Sequence, residues 1–146
     1  MMKSMLNWRF VAIALAGALA VLAGCQSMGM MATQQVTLSG ANEVPPVTTT
    51  ATGSATVTIK EDRSVSAAVT VSGMTATASH IHEAAAGANG PVIVPFTKTG
   101  DNTFAAAPDA KLTEAQYASF KAGNLYVNVH SAKNPGGEIR AQLKGN

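Results

Sequence analysis

Two stretches in the middle of the chain alternate with a period of two. Ser54 to Lys60 puts Ala55, Val57 and Ile59 on one face and Ser54, Thr56 and Thr58 on the other, and Ser64 to Ser72 repeats the pattern with Val65, Ala67, Val69 and Val71. Successive side chains of an extended strand point to opposite faces, so this spacing describes ribbons with one buried and one wetted side. Glu61-Asp62-Arg63 between the two runs reads as the turn of a hairpin. Aromatic residues make up only 5 % of the chain, so its core must be assembled from β-branched and small residues. Many short strands joined by tight turns suit that composition.

The rest of the chain fits the same class. Gln35 to Leu38 reads as a first strand stopped by Ser39-Gly40, and Ala41 to Thr52, with Pro45-Pro46 and a threonine run, reads as an exposed extended loop. Thr77 to Glu83 is a further strand. Ala84 to Gly90 is a small-residue loop, and Pro91 to Phe96 is an apolar strand whose flanking prolines put it at an edge or corner. Asp101 to Pro108 fits neither period. Thr113 to Phe120 is the helical signal, with Thr113 as cap and Gly123 as stop. Leu125 to Ser131 and Glu138 to Lys144 form a second hairpin across Lys133 to Gly137. The expected fold is all-β: an antiparallel β-sandwich with Greek-key connections of the immunoglobulin or superoxide-dismutase kind and one short helix. A closed barrel is the alternative.

The first residues carry a different message. Lys3 and Arg9 precede an uncharged apolar run from Phe10 to Ala23, and Leu22-Ala23-Gly24-Cys25 follows. That is the order of a bacterial lipoprotein signal, too short for a comfortable membrane span. The expected organisation is a signal peptide over 1–24, a tether over 25–32 with lipid on Cys25, and a β domain over 33–146. Gln26 after the cysteine favours the outer membrane, facing the periplasm. Met28, Met30 and Met31 are soft thioether donors in principle, but in so short a tract they read as part of the tether.

Charge and cysteine content then exclude several functions. The whole chain has 10 basic and 8 acidic residues, and loss of Lys3 and Arg9 takes its formal charge from +2 to zero. No basic stripe remains, so nucleic acid is not an expected partner. With the single cysteine lipidated, the domain has no thiol for a disulfide, a zinc–cysteine site or a nucleophile.

The three histidines of the chain all fall in strands. If Ile81 faces inward, His80 and His82 point outward together, about 6–7 Å apart along the backbone, within reach of one ion. In Leu125 to His130 the core set is Leu125, Val127 and Val129, which turns Tyr126, Asn128 and His130 to the other face. Pairing Asn128 with Arg140 and Tyr126 with Gln142 keeps Ile139, Ala141 and Leu143 in the core and brings Glu138 beside His130. Glu138 is therefore a candidate fourth ligand, or an acceptor for the other N–H of His130. The competing reading is structural, with His80 and His130 hydrogen-bonded across neighbouring strands. Because neutral imidazole is the ligand form, metal binding is expected to weaken below about pH 6.5.

Leu38 to Val47 (LSGANEVPPV), His80-Ile81-His82, Gly90-Pro91-Val92, Tyr126 to His130 (YVNVH) and Pro135 to Arg140 (PGGEIR) together resemble the CHRD domain. That family is named for the repeated domain of the secreted regulator chordin and is widespread in bacterial extracytoplasmic proteins. The likeness runs in order from about Val36 to Leu143 and implies a secreted β domain. It departs from the family at Ala84 to Ala86, where glycine is common, and at Ala141, another frequent glycine position.

Two functions follow as expectations. The first is a metal-binding lipoprotein holding Cu(II), with Zn(II) second, at His80, His82 and His130. The second is an envelope interaction or structural module without metal, contacting a protein or polymer through its Pro45-Pro46 loop or an anchor such as Tyr117, Tyr126 or Phe96. Enzymatic activity has the least support: no Gly-x-Ser-x-Gly elbow, phosphate-cradling loop or cysteine nucleophile is present, and three histidines cannot fill both sites of a copper/zinc dismutase.

Overall fold

A computed structural model of the protein describes residues 31–145. The signal peptide, most of the tether and the lipidation site at Cys25 lie outside the described residues. The elements are β1 (Met31–Ser39), a turn of 3-10 helix (Gly40–Asn42), β2 (Thr52–Lys60), β3 (Val65–Ser72), β4 (Ala76–Glu83), β5 (Val92–Gly100), β6 (Thr103–Ala106), α1 (Glu114–Lys121), β7 (Leu125–Ser131) and β8 (Ile139–Gln142). No helix among the described residues is long and apolar enough to cross a membrane.

The strands close into one antiparallel barrel in the order β1-β2-β3-β6-β5-β4-β7-β8. This corrects the expected sandwich. Alternation along a strand sets which side chains face inward, and it is the same for a sandwich and a barrel. What decides between them is whether the first and last strands meet, and here Ser39 of β1 pairs with Arg140 of β8. The two strands meet at that one position, which closes the barrel. β3 passes to β4 across one end of the barrel, and β6 returns to β7 through α1, so strands adjacent in sequence are not always adjacent in space.

The β2–β3 hairpin forms with Val57 opposite Ala67. In its turn Arg63 takes a left-handed φ of 72°, and Asp62 accepts hydrogen bonds from the Ser64 N–H (3.0 Å) and hydroxyl (2.6 Å). Thr113 caps α1 with a reciprocal box: its hydroxyl accepts from the Gln116 N–H, and the Gln116 side chain accepts from the Thr113 N–H. Two expectations shift. Pro95 lies within β5, opposite His80, rather than ending the strand; the ladder absorbs it beside a register shift at Ile81/His82. The unassigned stretch after Asp101 supplies β6, which bridges β3 and β5.

Inside the barrel sit Leu38, Val57, Ile59, Val69, Ile81, Phe104, Leu125, Val127, Val129, Ile139 and Leu143, all fully buried, and Phe120 from α1 and Leu112 join the same core. On β7 both faces are buried, because the outward residues Tyr126, Asn128 and His130 are covered as well. A second, polar interior therefore lies outside the barrel wall.

Candidate metal centre

The polar layer rests on β4, β7 and β8. β4 and β7 are neighbours, with His80 opposite Asn128, His82 opposite Tyr126 and Ala78 opposite His130. On the other side of β7, Asn128 faces Arg140 and Tyr126 faces Gln142, the register expected from the core pattern. Inward Ile81, Val127 and Val129 send the three histidines outward together. One donor nitrogen from each of His80, His82 and His130 lies within 4.8 Å of the others.

Loops fix the rings. The Pro135 carbonyl, in the β7–β8 turn, is 2.9 Å from His130 Nδ1, and the Gly90 carbonyl, before β5, is 2.9 Å from His82 Nδ1. A carbonyl can only accept, so both Nδ1 atoms carry hydrogen and both Nε2 atoms present lone pairs. His80 Nδ1 is 3.0 Å from His130 Nε2 and so donates to it. This is the cross-strand hydrogen bond of the structural reading. It leaves His82 unexplained, because its buried Nε2 has no partner.

That orphaned lone pair is the observation that tests the fit of a metal. Two imidazole nitrogens about 2.0 Å from a tetrahedral ion are about 3.3 Å apart, close to the His80 Nδ1–His130 Nε2 spacing, so an ion would replace the hydrogen shared there, with His80 carrying its proton on Nε2 instead. Carbonyl partners on the remote nitrogens of His82 and His130 are the usual means of fixing a ligand's tautomer and orientation. The three residues fit a transition ion with nitrogen preference.

Electrostatics point the same way. Burial, together with the neighbouring His130 and His82, pushes the His80 pKa down to about 4. Burial also lowers His82 and His130, although the Gly90 and Pro135 carbonyls work against it. The cluster is thus held neutral, in its ligand form, to lower pH than free imidazole.

Glu138 does not join the histidines. Its carboxylate accepts from the Thr49 hydroxyl (2.6 Å) and from the Ser131 hydroxyl, and its N–H bonds the Val129 carbonyl (2.8 Å). Burial raises its pKa, but the hydrogen bonds from Ser131, Thr49 and Asn134 outweigh this and leave it lowered. The place beside the His130 ring expected for Glu138 is taken by the Pro135 carbonyl, a consequence of how the turn folds back over the strand.

Four further residues complete the layer. Tyr126 stacks on His82, with ring centroids 4.8 Å apart and planes at 9°. Arg140, 1 % exposed, lies over the Tyr126 ring and donates to Asn89 Oδ1 and Gln142 Oε1, each at 3.2 Å. Tyr126 is 2 % exposed and so unavailable as a docking anchor. Its hydroxyl accepts from the Gly90 N–H at 3.2 Å. Glu43, from the Pro45-Pro46 loop, is buried, and burial raises its pKa to about 7 against the pull of Arg140 and the Val44 N–H. Asn128 is the fourth. The sequence signal for this layer was the outward polar set Tyr126, Asn128, Arg140 and Gln142; its burial depends on distant loops.

A family model for the CHRD domain matches residues 34–143. No curated protein and no solved structure matches the chain.

Proposed function

The chain belongs to the CHRD-domain family, and on that footing we propose that it is an envelope lipoprotein that captures a transition ion at His80, His82 and His130. The observation that carries the reading is the convergence of three donors with two rings pinned through Nδ1, leaving the buried Nε2 of His82 unanswered. Cu(II) is the preferred ion and Zn(II) the second, because first-row affinity for nitrogen sites peaks at copper. Leu22-Ala23-Gly24-Cys25 supports a lipid anchor, and Gln26 supports the outer membrane.

Titration of the full-length protein in detergent with Cu(II) tests this. The expected result is one equivalent bound with a nitrogen-rich paramagnetic spectrum, strongly weakened by His80→Ala, His82→Ala or His130→Ala. Glu138→Gln should leave binding nearly unchanged, since its carboxylate is engaged by Thr49 and Ser131. Unchanged copper affinity in the His80→Ala, His82→Ala double variant overturns the metal reading and leaves the interaction module.

A further inference from the structure

Asn128 occupies the middle of the polar layer. It lies opposite His80 on one side and Arg140 on the other, and it is 1 % exposed. Its amide nitrogen is turned toward Gly137: a Cβ on that glycine would sit 2.8 Å from Asn128 Nδ2 and 2.5 Å from Glu43 Oε1. The amide oxygen is the other arm of the same planar group, so it faces away from Gly137. That oxygen is buried and has no hydrogen-bond partner. Asn128 stands on the same outward face as His82, whose cross-strand partner Tyr126 is two residues away on β7.

His82 Nε2 and Asn128 Oδ1 are thus two buried acceptors with no donor between them. Each unsatisfied buried acceptor is destabilising, and groups of this kind in a folded protein call for an explanation, of which a bound ion is one. Rotating the amide by a half-turn would aim Nδ2 at His82 and set the oxygen against Glu43 Oε1, an arrangement that satisfies these atoms only while the Glu43 carboxyl keeps its proton. A cation answers both lone pairs without that exchange.

We infer that Asn128 supplies a fourth donor, its carboxamide oxygen, to the ion held by His80, His82 and His130. The inference rests on the three-histidine reading and makes the centre one of three nitrogens and one neutral oxygen. Strand register provides the placement, because Asn128 stands directly across from His80 and two residues from His130 on the same strand.

The test uses the full-length protein in detergent with Cu(II) alone as probe. Asn128→Ala should weaken binding about tenfold or more, on the scale of support-residue losses at metal sites, and should shift the copper hyperfine pattern. Asn128→Asp keeps an oxygen in place and should retain binding while changing the spectrum, because a carboxylate replaces a carboxamide. Wild-type affinity and spectrum in a folded Asn128→Ala protein would overturn the inference. If the alanine variant does not fold, the aspartate variant decides: a wild-type spectrum overturns the inference and a shifted one supports it. Failure of the three-histidine reading looks different, because the histidine double variant would then bind copper as the wild type does.

Discussion

The guanidinium carbon of Arg140 lies 3.3 Å from the centre of the Tyr126 ring. A permanently charged group is thereby buried on an aromatic face, and the same ring stacks on His82. Arginine meets such a face with a planar, weakly hydrated group, whereas lysine offers a compact, strongly hydrated one.

Arg140→Lys should therefore destabilise the protein by about 2 kcal/mol, the scale of a desolvated cation–π contact. Lys121 provides the control: it lies over the Tyr117 ring at 5.2 Å but is exposed. Lys121→Met should change stability by less than about 0.5 kcal/mol. Urea unfolding of the two variants checks the contrast, and equal losses would contradict it.

Gly137→Ala should be more damaging than Gly136→Ala. Gly137 has φ 133°, and a Cβ there would meet Glu43 Oε1 at 2.5 Å and Asn128 Nδ2 at 2.8 Å, whereas one at Gly136 meets nothing within 4 Å. The expected cost is about 1–3 kcal/mol at Gly137 for backbone strain and under about 0.5 kcal/mol at Gly136. Thermal melts of the two alanine variants distinguish them.

Stability should respond to pH in opposite senses through the buried histidines, His80 foremost, and through Glu43. The unfolded chain takes up protons on its histidines near pH 6.5, while folded His80 resists protonation to about 4, so acidification over that range favours unfolding. Glu43 does the reverse. Folded, it keeps its proton to about pH 7, whereas the unfolded carboxyl loses it near 4.5, so raising the pH across that interval favours unfolding. The two intervals overlap and the effects offset in the wild type, so His80→Gln should make stability fall more steeply as pH rises through them, and Glu43→Gln should make it fall more steeply as pH drops. Urea midpoints between pH 4 and 7.5 would show this, and wild-type profiles in both variants would exclude it.

Cys25→Ser should abolish incorporation of labelled fatty acid and release the protein from membranes, given the Leu22-Ala23-Gly24 that precedes it. Membrane retention of the serine variant, with no label in the wild type, would rule out the lipid anchor.

Much of the β-structure was legible locally. Val127 and Val129 against Ala141 and Ile139 set one register of the second hairpin as buried, and that register is the observed one. The same phase placed His80, His82 and His130 on one outward face, and the family likeness read from about Val36 to Leu143 is borne out by the match over 34–143. Barrel closure was not legible, because it depends on Ser39 meeting Arg140, and no local period encodes that meeting. Nor was the covering of the outer face. Gly90 and Pro135 act on His82 and His130 through backbone carbonyls, which any residue possesses, so their side chains gave no sign of the role. Glu138 was misplaced for a related reason: its strand position was read correctly, but the direction of its carboxylate is set by Thr49 from another loop.

Arg140 is also the residue through which β8 meets β1. Its partner Ser39 precedes it by about 100 residues, and contacts so remote in sequence form late and slowly. His130 and the β8 strand both come after every other element of the barrel. A chain emerging N-terminus first has His80 and His82 but neither their third companion nor the wall that carries Arg140. The convergence of the three donors therefore belongs to the completed chain alone. A chain still emerging offers only scattered imidazoles, and the three converge only where folding finishes.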